Sequence, residues 1–178
     1  MAYTPITYDD WKAAHPDYAA YPDIVAGAPL GYAIIANSGG AISAITEADI
    51  TVMDFFTELP AIEQEASTVD VSTTGATARK LIKGVPDAPS ALSYTCAVYN
   101  SNVAAAIDAM VAAYNSMAAG SKMVFFYLFP YNSENTDTEY FAGSPDNSGI
   151  SGGAFADART KSISIIPDLT TRGRIAIT

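Results

Sequence analysis

Short apolar runs separated by Gly, Asn, Asp and Ser dominate the chain from residue 32 onward. In residues 162–166 Ile and Ser alternate, which is the period of a strand with one buried face. The same texture predicts strands at residues 32–36, 41–45, 50–56, 68–73, 80–83, 92–99, 123–129, 139–142 and 174–177. Residues 123–129 lack polar alternation, which favours a strand covered on both faces, either in the core of one subunit or between subunits. The pattern therefore predicts a mainly β fold of two packed antiparallel sheets, sandwich-like or barrel-like.

One segment has helical periodicity instead. Its apolar residues recur at spacings of one, three and four, so they share one stripe of a helix: Val103, Ile107, Met110, Val111, Tyr114 and Met117. With Asn102 as N-cap and Gly120 as the residue that ends it, the flanking helix is predicted over residues 103–119.

The opposite face of this helix consists mainly of alanine. A helix exposed to water usually carries Glu and Lys there, so this face is expected to contact a second sheet or a neighbouring subunit. The candidates for an inter-subunit helix face are Ala105, Asp108, Ala112 and Asn115.

The first 30 residues form a different region, rich in Pro and Tyr and without sustained periodicity. Prolines remove backbone donors and favour extended chain, so we expect an N-terminal arm over residues 1–30, with at most a short helix at 8–14, ahead of a single domain at 31–178. Its aromatic residues could anchor it on a surface, plausibly that of a neighbour: Tyr3, Tyr8, Trp11, Tyr18 and Tyr21.

Charge narrows the class of protein. The net charge is −10, yet only 16% of the residues are charged, against about 25% in soluble domains. A sparse charge set of one sign is typical of a surface partly covered by copies of the same chain. No stretch is long and apolar enough for a membrane span, and no secretory signal is visible, so synthesis in a cytosol is expected.

Catalytic chemistry is not expected. His15 is the only histidine and lies in the arm, and Cys96, the only cysteine, sits in an apolar run where a buried inert thiol is expected. Five carboxylates could supply the acid and the base of a glycosidase, but adjacent carboxylates in loops are more often solvated surface residues: Asp9, Asp10, Glu63, Glu65 and Asp146. The Gly-rich pieces lack the Lys of a phosphate-binding loop. The sequence therefore indicates no catalytic residue, cofactor or metal site. The net charge of −10 and the dispersal of the nine basic residues along the chain argue against nucleic-acid binding.

The order of elements resembles the tail tube (major tail) proteins of tailed bacteriophages. The likeness is carried by TARKLIKGVPDAPSALSYTCAVYN, then NVAAAIDAMVAAYNSMAAG, KMVFFYLFP and the ending KSISIIPDLTTRGRIAIT, which cover most of residues 77–178. This resemblance implies a structural virion subunit: six copies close a ring, and rings stack into a hollow tube through which DNA is ejected. The implied partners are the chain itself and other tail proteins, with DNA passing unbound and no membrane involved.

The resemblance also implies a loop that touches the next ring, and its counterpart here is residues 57–67. The inter-ring candidates are Glu58, Pro60, Glu63 and Glu65, and the residues that could pair with them across subunits are Arg79, Lys80 and Lys83. The alternative for residues 57–67 is a short solvated helix begun by Pro60. For the basic residues, the alternative to nucleic-acid binding is that they pair with Asp and Glu across strands or subunit faces.

Two other functions remain open. A non-enzymatic β-sandwich could decorate a virion or cell surface and recognise a carbohydrate or protein through some of the 11 tyrosines. The second is a hydrolase built on the carboxylates. Electron microscopy of the purified protein would show rings or tubes for a tube protein and discrete monomers or small oligomers for a decoration module. Turnover of a polymer would identify a hydrolase.

Overall fold

The computed structural model describes residues 4–15, 29–36, 42, 44–57, 59–62, 68–70, 81–83, 90–96, 100–128, 138–146, 150–151 and 160–178. The helices are α1 (Tyr8–Ala14) and α2 (Ser101–Ser116), and a short 3-10 helix spans Glu47–Asp49. The strands are β1 (Leu30–Ala36), β2 (Thr51–Met53), β3 (Thr68–Asp70), β4 (Leu81–Lys83), β5 (Leu92–Cys96), β6 (Ser121–Tyr127), β7 (Thr138–Asp146), β8 (Ile150–Ser151) and β9 (Thr160–Ile175). The mainly β class is confirmed. Neither helix is long and apolar enough to cross a membrane.

The strands fall in two antiparallel sheets. The larger has the order β2-β1-β6-β7-β9-β5, with β8 beside β9, and β3 pairs with β4 in the smaller. The two ends of the larger sheet meet, because Phe56, just after β2, bridges to Cys96 of β5. Next to it the Thr57 N–H donates to the Thr95 carbonyl at 2.9 Å. The larger sheet therefore curls back on itself as a partly closed barrel.

Each face of this sheet carries an apolar cluster. On β6 the side chains of Met123, Phe125 and Tyr127 join one cluster, and their neighbours Val124, Phe126 and Leu128 join the other. Helix α2 covers the first, the inner cluster, and α1 covers the second, the outer cluster. Strand β6 is thus buried on both faces within a single chain, as its unbroken apolar run predicts.

Helix α2 begins and ends earlier than predicted. The N-cap is Asn100, not Asn102: its Oδ1 accepts the backbone N–H groups of Asn102 and Val103, each at 3.0 Å. The helix ends at Ser116 because the next residues turn tightly into β6, with the Ser121 N–H on the Ala118 carbonyl. Gly120 lies in this turn with a φ of +85°, a left-handed conformation that favours glycine.

The strand predictions differ from the structure in two places. Residues 162–166 and 174–175 are in a strand as predicted, but both belong to the single 16-residue strand β9 and not to two separate strands. Of the predicted strand 41–45, the described residues 42, 44 and 45 are not in a strand. Ile45 is nevertheless buried, and its carbonyl accepts the N–H of Thr178. The partners of β1 are instead the distant β6 over seven residue pairs and β2 over three.

The N-terminal helix at 8–14 is confirmed, and it packs on its own chain. Tyr8 and Trp11 are buried in the outer cluster. Ahead of them the chain pairs with the outer side of β2, because Thr7 bridges to Thr51 and the N–H of Tyr8 donates to the Ile50 carbonyl at 2.9 Å. The expected contact with a neighbour is therefore wrong for these two anchors, whereas Tyr3, Tyr18 and Tyr21 lie outside the described residues. The arm boundary at residue 30 stays a prediction.

Candidate functional site

The outer face of α2 is formed by small residues. Asp108, Ala112 and Asn115 are exposed and Ala105 is half-buried, while Val103, Ile107 and Met110 on the opposite side are packed in the inner cluster. The amphipathic spacing therefore orients the helix as the sequence predicts. Three of the four predicted interface residues face solvent, and Asp108 is the one charged side chain of α2. A face without long side chains allows close approach of another surface.

A cleft of about 160 Å³ separates the end of α2 from the sheet. Tyr114 closes one side, where its hydroxyl donates to the Ser144 Oγ at 2.8 Å. Lys122 and Asp168 lie on the other side, with Nζ and Oδ2 3.1 Å apart. The hydroxyl of Thr170, and after it the Lys122 ammonium, hold the pKa of Asp168 below its usual range against the opposing effect of burial.

The predicted inter-ring loop is anchored in the core at its start. Pro60 is half-buried, and its carbonyl accepts a hydrogen bond from the Tyr127 hydroxyl. Leu59 and Ile62 pack on the inner cluster, and the described part of this segment contains no helix, unlike the alternative of a helix begun by Pro60. Glu58, Glu63 and Glu65 lie outside the described residues, so their role stays a prediction.

The predicted charge partners are mostly outside the described parts of the chain. This holds for Arg79 and Lys80, whereas Lys83 occupies the β4 position that pairs with Thr68. Where ion pairs are described, they link elements within the subunit: Lys12–Glu47, Lys122–Asp168 and Arg172–Glu139. The last joins β9 to β7 at 2.9 Å, as expected if basic residues pair with Asp and Glu across strands.

The residues weighed for catalysis have structural or solvated positions. The His15 ring stacks on Trp11 with centroids 4.7 Å apart, and its Nδ1 lies 2.9 Å from the Trp11 carbonyl oxygen. Asp9 and Asp10 are exposed in the first turn of α1, and Asp146 is exposed at the end of β7. No group of three His, Cys, Asp or Glu side chains suited to a metal ion occurs in the described ranges. Cys96 is fully buried, and burial raises the pKa of its thiol to about 11, which keeps it protonated.

The described tyrosines belong to the interior. Five are buried and Tyr114 is half-buried; the five are Tyr8, Tyr32, Tyr94, Tyr127 and Tyr140. They pack in the two clusters and so do not form an exposed aromatic platform. The tyrosine-lined binding module stays an alternative, because the other five tyrosines lie outside the described residues: Tyr3, Tyr18, Tyr21, Tyr99 and Tyr131.

One polar site was missed by the sequence reasoning, namely Lys122 with Asp168 and its two threonines. Asp followed two residues later by Thr is a local signal for a turn that the side chains close, and it was available in the sequence as Asp168 and Thr170. The contribution of Lys122, 46 residues away in sequence, was not available, because it depends on how β6 lies relative to β9.

No protein-family model and no curated protein matches the chain. Among solved structures, the fold is similar to a chain of the cryo-EM structure of the anti-feeding prophage (AFP) baseplate, 6-fold symmetrised, with a TM-score of 0.48 and 8% sequence identity. The similarity covers 84% of this chain and 93% of that one. At this identity no residue correspondence can be drawn, so any function for this chain has to be argued from its own surfaces.

Proposed function

We propose that this chain is a structural subunit of a phage-type tail that closes hexameric rings, and that the rings stack into the tail tube through which DNA is ejected. The observation that carries the proposal is the outer face of α2. A 16-residue helix presents Ala112, Asn115 and one carboxylate to solvent, where a helix of a monomeric protein usually carries several Glu and Lys. Such a face is suited to contact with a neighbouring subunit.

The order of elements supports the same proposal. Helix α2 is inserted late, between β5 and the apolar strand β6, and the chain closes on the long strand β9. This is the order on which the resemblance to tail tube proteins rests. The barrel-like sheet has an apolar cluster on each face, which gives the subunit a packed core.

The charge is also consistent with a conduit for DNA. A net charge of −10 gives each ring of six a field that repels phosphate, so DNA could slide through without adsorption. In this proposal the chain is made in the host cytoplasm and ends in the virion, and its partners are its own copies and other tail proteins. Residues 57–67, with Glu63 and Glu65, are the proposed contact between rings.

Electron microscopy of the purified chain with one pair of variants tests the proposal. Ala112→Glu places a charged side chain on the exposed face of α2, and Ala13→Glu makes the same change at an exposed alanine of α1. We expect rings or tubes from the parent chain and from Ala13→Glu, and discrete folded subunits from Ala112→Glu. Ala105→Glu, at the half-buried flank of the same face, should also hinder closure.

Polymerisation by all three variants would exclude α2 from the interface. Discrete monomers or small oligomers of the parent chain would instead favour the alternative, a non-enzymatic decoration or binding module for a carbohydrate or protein.

A further inference from the structure

Strand β9 extends beyond its neighbour on one side. Ile165 pairs with Leu92 of β5 and, on its other side, with Pro145 of β7. From Ile166 onward β9 stays paired with β7 as far as Ile175, apart from a bulge, but no strand among the described residues pairs with its other side, where the pairing with β5 has ended. An edge of this kind presents unpaired N–H and C=O groups, which are a template for pairing with another chain.

The same stretch of β9 carries a large bulge. Phe141 pairs with Arg172 and the next residue of β7, Ala142, pairs with Asp168, so one step on β7 corresponds to four steps on β9. Three residues of β9, at positions 169–171, therefore have no counterpart on β7. Extra residues of this kind disrupt the ladder and bend the strand away from a regular edge.

The bulge is fixed by side chains on both of its ends. Asp168 Oδ1 accepts the N–H of Thr170 at 3.0 Å and its hydroxyl at 2.6 Å. The other oxygen of Asp168 accepts from Lys122 Nζ at 3.1 Å, and the same ammonium donates to the hydroxyl of Thr171, which is buried. One lysine of β6 thus links the start of the bulge to its end.

The outer side of β2 and the end of β5 are paired. The outer side of β2 pairs with the chain around Thr7, through the bridge to Thr51 and the N–H of Val52 on the Ile6 carbonyl at 2.9 Å. The bridge between Phe56 and Cys96 joins β2 to β5. The bulge lies in a stretch of β9 whose side away from β7 has no partner among the described strands, and Arg172 in this stretch is exposed.

We propose that Lys122 and Asp168 protect this edge of β9 from edge-to-edge pairing. They hold the bulge at 169–171 in a shape that prevents β9 of a second copy from adding to the edge. A bulge and exposed charges are two of the devices by which native sheets avoid edge-to-edge pairing. The proposal does not depend on the tail function, because it concerns irregular association through β9. It also implies that ordered contacts between copies use other surfaces.

A matched pair of variants tests this role of Lys122 and Asp168. Lys122→Met removes the lysine that spans the bulge, and Lys12→Met removes the lysine paired with Glu47; both lysine side chains are 32% exposed. We expect Lys122→Met to accelerate hydrogen exchange in residues 166–175 and to raise thioflavin T fluorescence several-fold on incubation. Lys12→Met should leave both readouts at the parent level.

A second substitution decides whether this association occurs at the edge. Ile166 is 51% exposed and is the first residue of β9 beyond the pairing with β5, so Ile166→Lys adds a charge to the edge itself. In the Lys122→Met background it should return thioflavin T fluorescence to the parent level. Absence of aggregation in Lys122→Met, or aggregation that Ile166→Lys does not suppress, as expected if the variant is merely unfolded, would overturn the proposal.

Discussion

The hydroxyl oxygens of Tyr94 and Tyr127 lie 2.9 Å apart inside the barrel. Tyr127 donates its proton to the Pro60 carbonyl, so Tyr94 is the donor to Tyr127. This relay joins β5 and β6 to the segment that follows the barrel closure at Phe56. It satisfies two buried hydroxyl groups and fixes the start of the long connection between β2 and β5.

Removing the middle of this relay should destabilise the fold. Tyr127→Phe leaves the Tyr94 hydroxyl and the Pro60 carbonyl without their partner, and a buried polar group left unpaired costs about 1–3 kcal/mol. We expect the free energy of unfolding, measured by urea denaturation, to fall by about this amount. The control is Tyr114→Phe, which removes a hydroxyl at a half-buried position and should cost less. Equal losses in the two variants would contradict a special role for the relay.

Alkaline pH should weaken the fold through the same pair. Burial, the largest cause, raises the pKa of Tyr127 from its ordinary value of 10.0 to about 12, and burial also raises the pKa of Tyr94. Between these values the unfolded chain has lost a proton that the folded chain keeps, so the free energy of unfolding falls as pH rises. Stability should be complete below about pH 10 and decline toward about pH 12.

Spectroscopy provides the measurement. Chemical denaturation at a series of alkaline pH values gives the stability, and tyrosinate absorbance follows ionisation. In Tyr127→Phe the decline should be shallower. A stability that is constant from pH 10 to 12 in the parent chain would contradict the assignment of this pair as protonated and buried.

Truncating Trp11 tests the attachment of α1 to its own chain. Trp11 is 2% exposed and its indole N–H donates to the Asp54 carboxylate at 3.0 Å. Trp11→Ala should cost about 3–5 kcal/mol, as for other large aromatic truncations in a core. Trp11→Phe, which keeps a ring in the outer cluster but loses the Asp54 bond, should cost less. A loss seen only at protein concentrations at which copies associate would place α1 on a neighbour instead.

We also expect no measurable binding to duplex DNA at physiological salt. The net charge is −10, and the basic side chains of the described ion pairs are engaged by carboxylates. Few phosphates can then be neutralised at once, so lowering the salt should strengthen any residual binding only weakly. A fluorescence-anisotropy titration is the measurement. Micromolar affinity with a steep salt dependence would contradict the acidic conduit and require a DNA-binding role.

The elements that the sequence predicted well are those defined by local periodicity. The stripe of α2, the short α1, the doubly buried β6 and the buried Cys96 follow from the spacing of apolar residues within a few turns or a few strand positions. The helix face with Ala112 and Asn115 was predictable for the same reason, because the buried stripe fixes which residues face outward.

The sequence by itself thus determined the mainly β class, the identity of the helices and the scarcity of charge. Tertiary structure alone decided that residues 162–166 belong to one long strand, that the sheet closes from Phe56 to Cys96, and that Lys122 reaches Asp168. The physical reason is distance along the chain. Strand pairing and ion pairs join residues tens of positions apart, and no local spacing specifies which edges and charges the folded backbone brings together.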